Sequence, residues 1–146
     1  MKLSELNEEW VKDSFIDQLN LGSESVKVPT LHSKYLEKLS KTKLLLRKSE
    51  SDYYNTRRLK YRYFRGEMTE SELTALEWVQ YQGNKPLKNE MDEFLQCDQD
   101  LIGLLDKIEY YKVVVYTLEQ VLKSINSRTW DIKTAVEWYK FTNGAL

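Results

Sequence analysis

Leu101–Ile125 reads LIGLLDKIEYYKVVVYTLEQVLKSI, and its spacing decides the fold class. Leu101, Leu104, Ile108, Tyr111, Val115, Leu118, Leu122 and Ile125 recur at intervals of three and four. That is the pattern of a heptad seam on an α-helix. Tyr110, Val113, Val114 and Tyr116 widen the apolar surface beyond a single seam. The extra surface favours assembly with other helices, as in a coiled coil, over the core of a monomeric bundle. Leu104, Ile108, Tyr111, Val115, Leu118, Leu122 and Ile125 are therefore the candidate oligomerisation residues. A break is expected near Ser127–Thr129. A short final helix then carries Ile132, Val136 and Tyr139, flanked by Trp130, Trp138 and Phe141.

Working outward, the same logic yields helices with few interruptions. Residues 4–19 read as an amphipathic helix capped by Ser4, with Leu6, Trp10, Phe15 and Leu19 on its apolar face. Gly22, Ser23, Ser25 and Val26-Lys27-Val28 read as an extended linker, and Pro29-Thr30 as the next helix start. A long helix follows over 31–65. Tyr35, Leu39, Leu46 and Tyr53 form its apolar seam, and Lys34, Lys38, Lys41 and Lys48 a basic stripe. Gly66 ends it. Thr69-Glu70-Ser71-Glu72 fits a capping box for a short helix with Leu73, Leu76 and Val79. Gly83-Asn84-Lys85-Pro86 is a turn, and Met91, Phe94 and Leu95 anchor an acidic segment. The expectation is one all-α domain in four parts. These are an N-terminal helix and linker (1–29), a long basic helix (30–65), an acidic connecting region (66–100) and C-terminal oligomerisation helices (101–146).

Composition agrees with long helices. Only five glycines and two prolines punctuate 146 residues, while ten tyrosines and four tryptophans argue against a disordered chain. One cysteine, Cys97, and one histidine, His32, leave no ligand set for a zinc site. Cys97 reads as a small buried apolar residue. Neither a G-x-x-x-x-G-K-[ST] loop nor a G-x-G-x-x-G turn occurs, and no nucleophile has a triad around it. The acids Glu90, Asp92, Glu93, Asp98 and Asp100 lack EF-hand spacing. No enzyme, cofactor or metal is expected. With no signal peptide and no membrane span in the sequence, a soluble intracellular protein is expected.

Charge is segregated along the chain. Residues 34–65 carry eleven Lys/Arg against three acids, and residues 66–109 carry three Lys against eleven acids. Two such blocks can pair with each other, within or between subunits, or the basic one can face a polyanion. The densest element is Arg57-Arg58-Leu59-Lys60-Tyr61-Arg62-Tyr63-Phe64-Arg65. Cations neutralise phosphates and flat rings stack on unpaired bases, so the mixture suits single-stranded nucleic acid. The alternative is a helix end whose tyrosines enter the core and whose arginines solvate its outer face. Arg57, Arg58, Lys60, Tyr61, Arg62, Tyr63 and Arg65, with Lys41 and Lys48, are the candidate DNA-binding residues.

Several stretches resemble the UvsY-type recombination mediators of tailed phages. They are Lys12-Asp13-Ser14-Phe15-Ile16-Asp17, Leu31 to Ser40, the basic-aromatic element after Arg58-Leu59, and Leu122-Lys123-Ser124-Ile125-Asn126-Ser127-Arg128 with the aromatic tail. The resemblance implies an all-α chain that assembles into a ring-like homo-oligomer, a hexamer or heptamer, through its C-terminal region. It implies binding to single-stranded DNA, displacement of the single-strand-binding protein and loading of a RecA-like phage recombinase in the bacterial host cytoplasm. Arg58 matches the family's basic position. Lys60 stands where the family has an acid, and Arg62 adds a charge between the tyrosines. The competing expectation is a helical homo-oligomeric scaffold without nucleic-acid binding, its two charge blocks neutralising each other.

Overall fold

The computed structural model describes residues 2–144, and all regular structure among them is helical. The order is α1 (Leu3–Asp13), α2 (Leu21–Phe64), α3 (Glu70–Ala75), α4 (Met91–Gln96) and α5 (Gln99–Thr142). The chain divides into two compact units, residues 1–44 with 112–146, and residues 45–111. The helices α2 and α5 each contribute residues to both.

In the first unit, α1 and the early part of α2 pack on the later part of α5. Leu6, Tyr35, Leu39, Val114, Leu118, Val121, Leu122 and Ile125 are its buried cluster, with Trp10, Val28 and Leu31 against it. Each such side chain stabilises the fold by about 1.5–3 kcal/mol. Contacts from Glu24 to Arg128 and from Lys43 to Glu119 show the two long helices running antiparallel here. The core carries polar fastenings at its edge. The Tyr35 hydroxyl donates to Asp13 Oδ2 at 2.7 Å, and burial together with that carboxylate pushes the phenol's pKa up. Lys34 bridges Asp13 and Glu9, the latter at 2.7 Å, and Lys38 reaches Glu9 at 3.3 Å. Arg128, 3% exposed, bonds Glu24 at 2.8 Å and donates to the carbonyls of Ser14 and Phe15. This buried pair ties the turn after α1 to both long helices.

Several boundaries depart from the sequence reading. The first helix stops at Asp13, and Phe15 and Leu19 are exposed, so Leu6 and Trp10, joined by Leu3, form its apolar face. Ser4 lies inside that helix; the Lys2 backbone N–H is met by Glu5 Oε2 at 3.3 Å instead. Residues 21–30 are helical rather than extended, with Pro29 inside α2 and Thr30 no cap. An interior proline costs about 3 kcal/mol. Its ring faces solvent, while Val28, Leu31 and the buried Glu24 hold the surrounding turns against α5. The break expected near Ser127–Thr129 is absent, since Arg128 is anchored inside a continuous α5.

In the second unit, Met91, Leu95 and Leu101 form a buried cluster with Tyr53, Tyr61 and Phe64 against it; Met68, Leu73 and Ile108 are buried as well. Gly66 closes α2 at φ +70°, with Glu67 N–H bonded to Arg62 O at 3.0 Å, the pattern of a left-handed helix stop. The helix α3 is capped by the Thr69 hydroxyl, which accepts from Glu72 N–H at 3.3 Å. It ends at Ala75, so Val79 lies beyond it, exposed. The sole cysteine, Cys97, is exposed rather than buried.

Candidate nucleic-acid interface

A helix advances 100° per residue, so residues seven, eleven and eighteen apart share a face. On α2 in the second unit this brings Arg47, Tyr54, Arg58, Tyr61 and Arg65 into one stripe. Arg47 and Tyr54 stand well out into solvent, Arg58 and Arg65 are exposed, and Tyr61 is half-buried. Arg58 has no hydrogen bond or ion pair among the described residues. Lys48, a quarter-turn away, has none either. Arg47 meets Glu50 at 3.7 Å, a loose surface pair. Arg65 lies over the Tyr61 ring at 5.6 Å, donates to its hydroxyl at 3.3 Å and pairs with Glu67 at 3.0 Å; the Tyr61 bond and then the Glu67 charge keep its pKa raised. The stripe presents arginines alternating with rings, ready for phosphate and base without rearrangement of the core.

The density of the 57–65 run overstated how much of it faces outward. Lys60 is buried, with Asp98 at 3.2 Å, Asp100 at 2.7 Å and the Trp78 ring 4.4 Å from its ammonium. Burial alone would pull Lys60 down, but the Asp100 and Asp98 bonds outweigh it and raise its pKa. Tyr63 is committed as well. Its ring meets Phe64, Trp78 and Tyr81 edge to face, and its hydroxyl donates to Val79 O. Arg62 holds Glu72 through both terminal nitrogens, at 2.9 and 3.1 Å. Arg57 reaches the exposed Asp92 at 3.4 Å. In the first unit Lys41 is exposed and pairs with Glu37 at 2.9 Å. The structure thus turns Lys60 and Tyr63 inward, occupies Arg62, pairs the exposed Arg65 with Glu67, and leaves Arg58 and Lys48 uncommitted among the described residues, beside the half-buried Tyr61. Arg47 and Tyr54 escaped the sequence reading because it weighed local density. The spacings 47–54–61 and 58–65 were the signal.

Residues 9–145 match the family described as "Recombination, repair and ssDNA binding protein UvsY". The chain belongs to the UvsY family.

The recombination protein uvsY of Enterobacteria phage T4 is 29% identical to it over 146 residues, 99% of each chain. Crystal structures of the bacteriophage T4 recombination mediator protein UvsY share its fold. One lattice form superposes at TM-score 0.82 with 26% identity, covering 98% of both chains. A second gives 0.80 at 25% identity, covering 97% of this chain and 99% of that one.

Within this UvsY-family chain, the heptad seam of α5 serves an intrachain purpose. Ile108, Leu118, Leu122 and Ile125 are buried in the chain's own cores, and Leu104, Tyr111 and Val115 are half-buried. Leu118, Leu122 and Ile125, covered by α1 and α2, are not free to line an interface between subunits, whereas Leu104, Tyr111 and Val115 keep part of their surface open. Beside the seam Tyr110, Val113 and Tyr116 remain exposed, and further along α5 lies a second group of outward rings. Trp130, Trp138, Tyr139 and Phe141 are 61–77% exposed, with Trp138 and Phe141 stacked at 5.7 Å. No helix among the described residues is long and apolar enough to cross a membrane.

Proposed function

We propose that this chain is a recombination mediator that binds single-stranded DNA and helps load a RecA-like recombinase onto strands coated by single-strand-binding protein. The setting is phage homologous recombination and repair in the cytoplasm of the bacterial host. The observation that supports the DNA contact is the stripe Arg47–Tyr54–Arg58–Tyr61–Arg65, with Arg58 uncommitted to any partner among the described residues. Rings at helical spacing between arginines suit unpaired bases, whereas a duplex, already stacked, engages the charges only. Assembly into a ring presents several stripes to one strand, and weak contacts then add as avidity. The exposed aromatic groups of Trp130–Phe141 are the assembly element in this reading, because large exposed apolar side chains such as the stacked Trp138 and Phe141 suit an interaction site.

Anisotropy of a labelled single-stranded oligonucleotide, titrated at several salt concentrations, tests the DNA contact. Four cations (Arg47, Lys48, Arg58 and Arg65) correspond to a log–log salt slope of about −3 at ~0.7 per phosphate, with duplex bound more weakly. No binding at low salt overturns it. For the loading step, the readout is recombinase filament formation on strands coated by single-strand-binding protein, expected to accelerate when the chain is added.

A second reading has its own support, a helical scaffold whose charges serve internal pairing. Lys34 and Lys38 meet Glu9 and Asp13, Lys60 meets Asp98 and Asp100, and Arg62 meets Glu72. Oligomers that dissociate in high salt and have no affinity for DNA are its mark.

A further inference from the structure

The stripe on α2 runs into a cleft. Where α2 ends, Tyr61 and Arg65 face the loop that leads into α4, and the space between is about 710 Å³. Lys85 and Lys88 stand on the loop side, Glu67 contributes the one carboxylate, and the buried Met91 lies at the apolar floor. Such a volume is in the range of ligand-sized clefts. Lys85 is held close: a Cβ added to Gly66 would lie 3.3 Å from its Cε and 3.7 Å from its Nζ. Its ammonium therefore sits over the glycine that ends α2. Neither Lys85 nor Lys88 has a hydrogen bond or ion pair among the described residues, and both are exposed. Glu67 is already bound by Arg65. The cleft so combines two uncommitted ammonium groups with a phenol ring carrying a guanidinium at 5.6 Å.

We infer that this cleft is a nucleotide subsite for the same strand, in which Lys85 and Lys88 take phosphate oxygens and the Tyr61 ring stacks on a base. The inference rests on the single-stranded-DNA reading and deepens it. Two observations select a strand over a free anion. Tyr61 and Arg65 belong to both stripe and cleft, so a strand lying along Arg47–Arg58 is led into it. The pairing of cations with a ring matches a phosphate and base joined together, where inorganic phosphate uses only the charges. The two lysines lie within the acidic block 66–109, on an irregular loop, and only the fold carries them to the basic helix end.

The test uses the full chain and labelled oligo-dT across a salt series. Lys85→Ala with Lys88→Ala is expected to weaken binding about tenfold and to flatten the log–log slope by about 1.4, two phosphates at ~0.7 each added to those of the stripe, which leaves the slope of about −3 that the four stripe cations give. Lys85→Arg with Lys88→Arg retains both. If the wild type binds and the double alanine variant matches it in affinity and slope, the subsite is wrong while the stripe stands. If the wild type itself does not bind, the parent reading fails. For the ring, Tyr61→Leu is compared on oligo-dT and on an abasic strand, with circular dichroism reporting its helix content. A loss confined to oligo-dT supports stacking; an equal loss on both strands overturns it. Inorganic phosphate displacing the strand at no more than its ionic-strength effect supports the strand as ligand, and specific displacement overturns that choice.

Discussion

Arg58 and Lys60 are two residues apart on α2, which puts them about 200° apart around the helix, and their roles divide accordingly. Arg58 stands in solvent without a hydrogen bond or ion pair among the described residues. Lys60 is 10% exposed at its side chain and is held by Asp98, Asp100 and Trp78. Arg58→Ala is expected to lower affinity for single-stranded DNA by about three- to tenfold, one phosphate contact's worth, with no change in melting temperature. Lys60→Met should do the reverse. It leaves the poorly exposed Asp98 without its cation and lowers stability by about 1–3 kcal/mol in chemical denaturation, with strand affinity per folded molecule retained. A Lys60 variant that unbinds DNA while melting normally would contradict this division.

At the scale of elements, two helices stop in the same way with different residues. The helix α2 ends on Gly66 at φ +70°, whereas α3 ends with Glu77 at φ +59° and Trp78 N–H bonded to Leu73 O at 2.9 Å. A left-handed conformation suits glycine and strains a residue with a Cβ. The turn is retained because it delivers Trp78 onto Lys60 and Tyr63. Glu77→Gly should therefore raise unfolding stability by about 1 kcal/mol, read as a shift in denaturation midpoint with unchanged slope. The Gly66 stop and the Thr69 cap were legible, since each depends on a residue's own backbone or hydroxyl chemistry. Residues 21–30 were not. Glycine, serine and proline there argue locally for a linker, and the helix exists because Val28, Leu31 and Glu24 pack on α5. Continuity of α5 through Arg128 has the same origin: the pairing partner, Glu24, lies 104 residues away.

For the molecule as a whole, carboxylates hold the first unit together. Lys34 lowers Glu9, Lys27 and Arg128 lower Glu24, and for Asp13 the bonds from Lys34 and Tyr35 outweigh a burial that would raise it. All three lie below the ordinary values of 4.5 for Glu and 3.8 for Asp. A carboxylate with a depressed native pKa binds fewer protons folded than unfolded, so its stability is present above those values and is lost as pH falls through the native ones. Melting temperature should be level from neutral pH to about 5 and fall steeply below about 4. A flat profile to pH 3 would rule out this role. Assembly gives the other whole-molecule prediction. Leu118→Asp should unfold the chain, because Leu118 is 0% exposed in its own core, while Trp138→Asp should leave helix content intact and dissociate the oligomer. Sedimentation with circular dichroism on both variants separates the two; a folded, dissociated Leu118→Asp chain would return the interface to the heptad seam.

From the sequence alone came the helical class, one helix stop and one helix cap, the basic-aromatic helix end and the family. Each depends on periodicity, residue chemistry or the order of motifs, which a linear reading retains. What the tertiary structure decided was direction. Heptad spacing states that one face of α5 is apolar, and only packing shows that α1 and α2 cover its stretch from Val114 to Ile125. Charge density marks 57–65, but the partners Asp98, Asp100 and Glu72, distant in sequence, determine which cations are left to meet a ligand. Lys85 and Lys88 join the site through a loop whose path no local signal encodes. Periodicity is a property of neighbours along the chain, whereas commitment of a side chain is a property of neighbours in space.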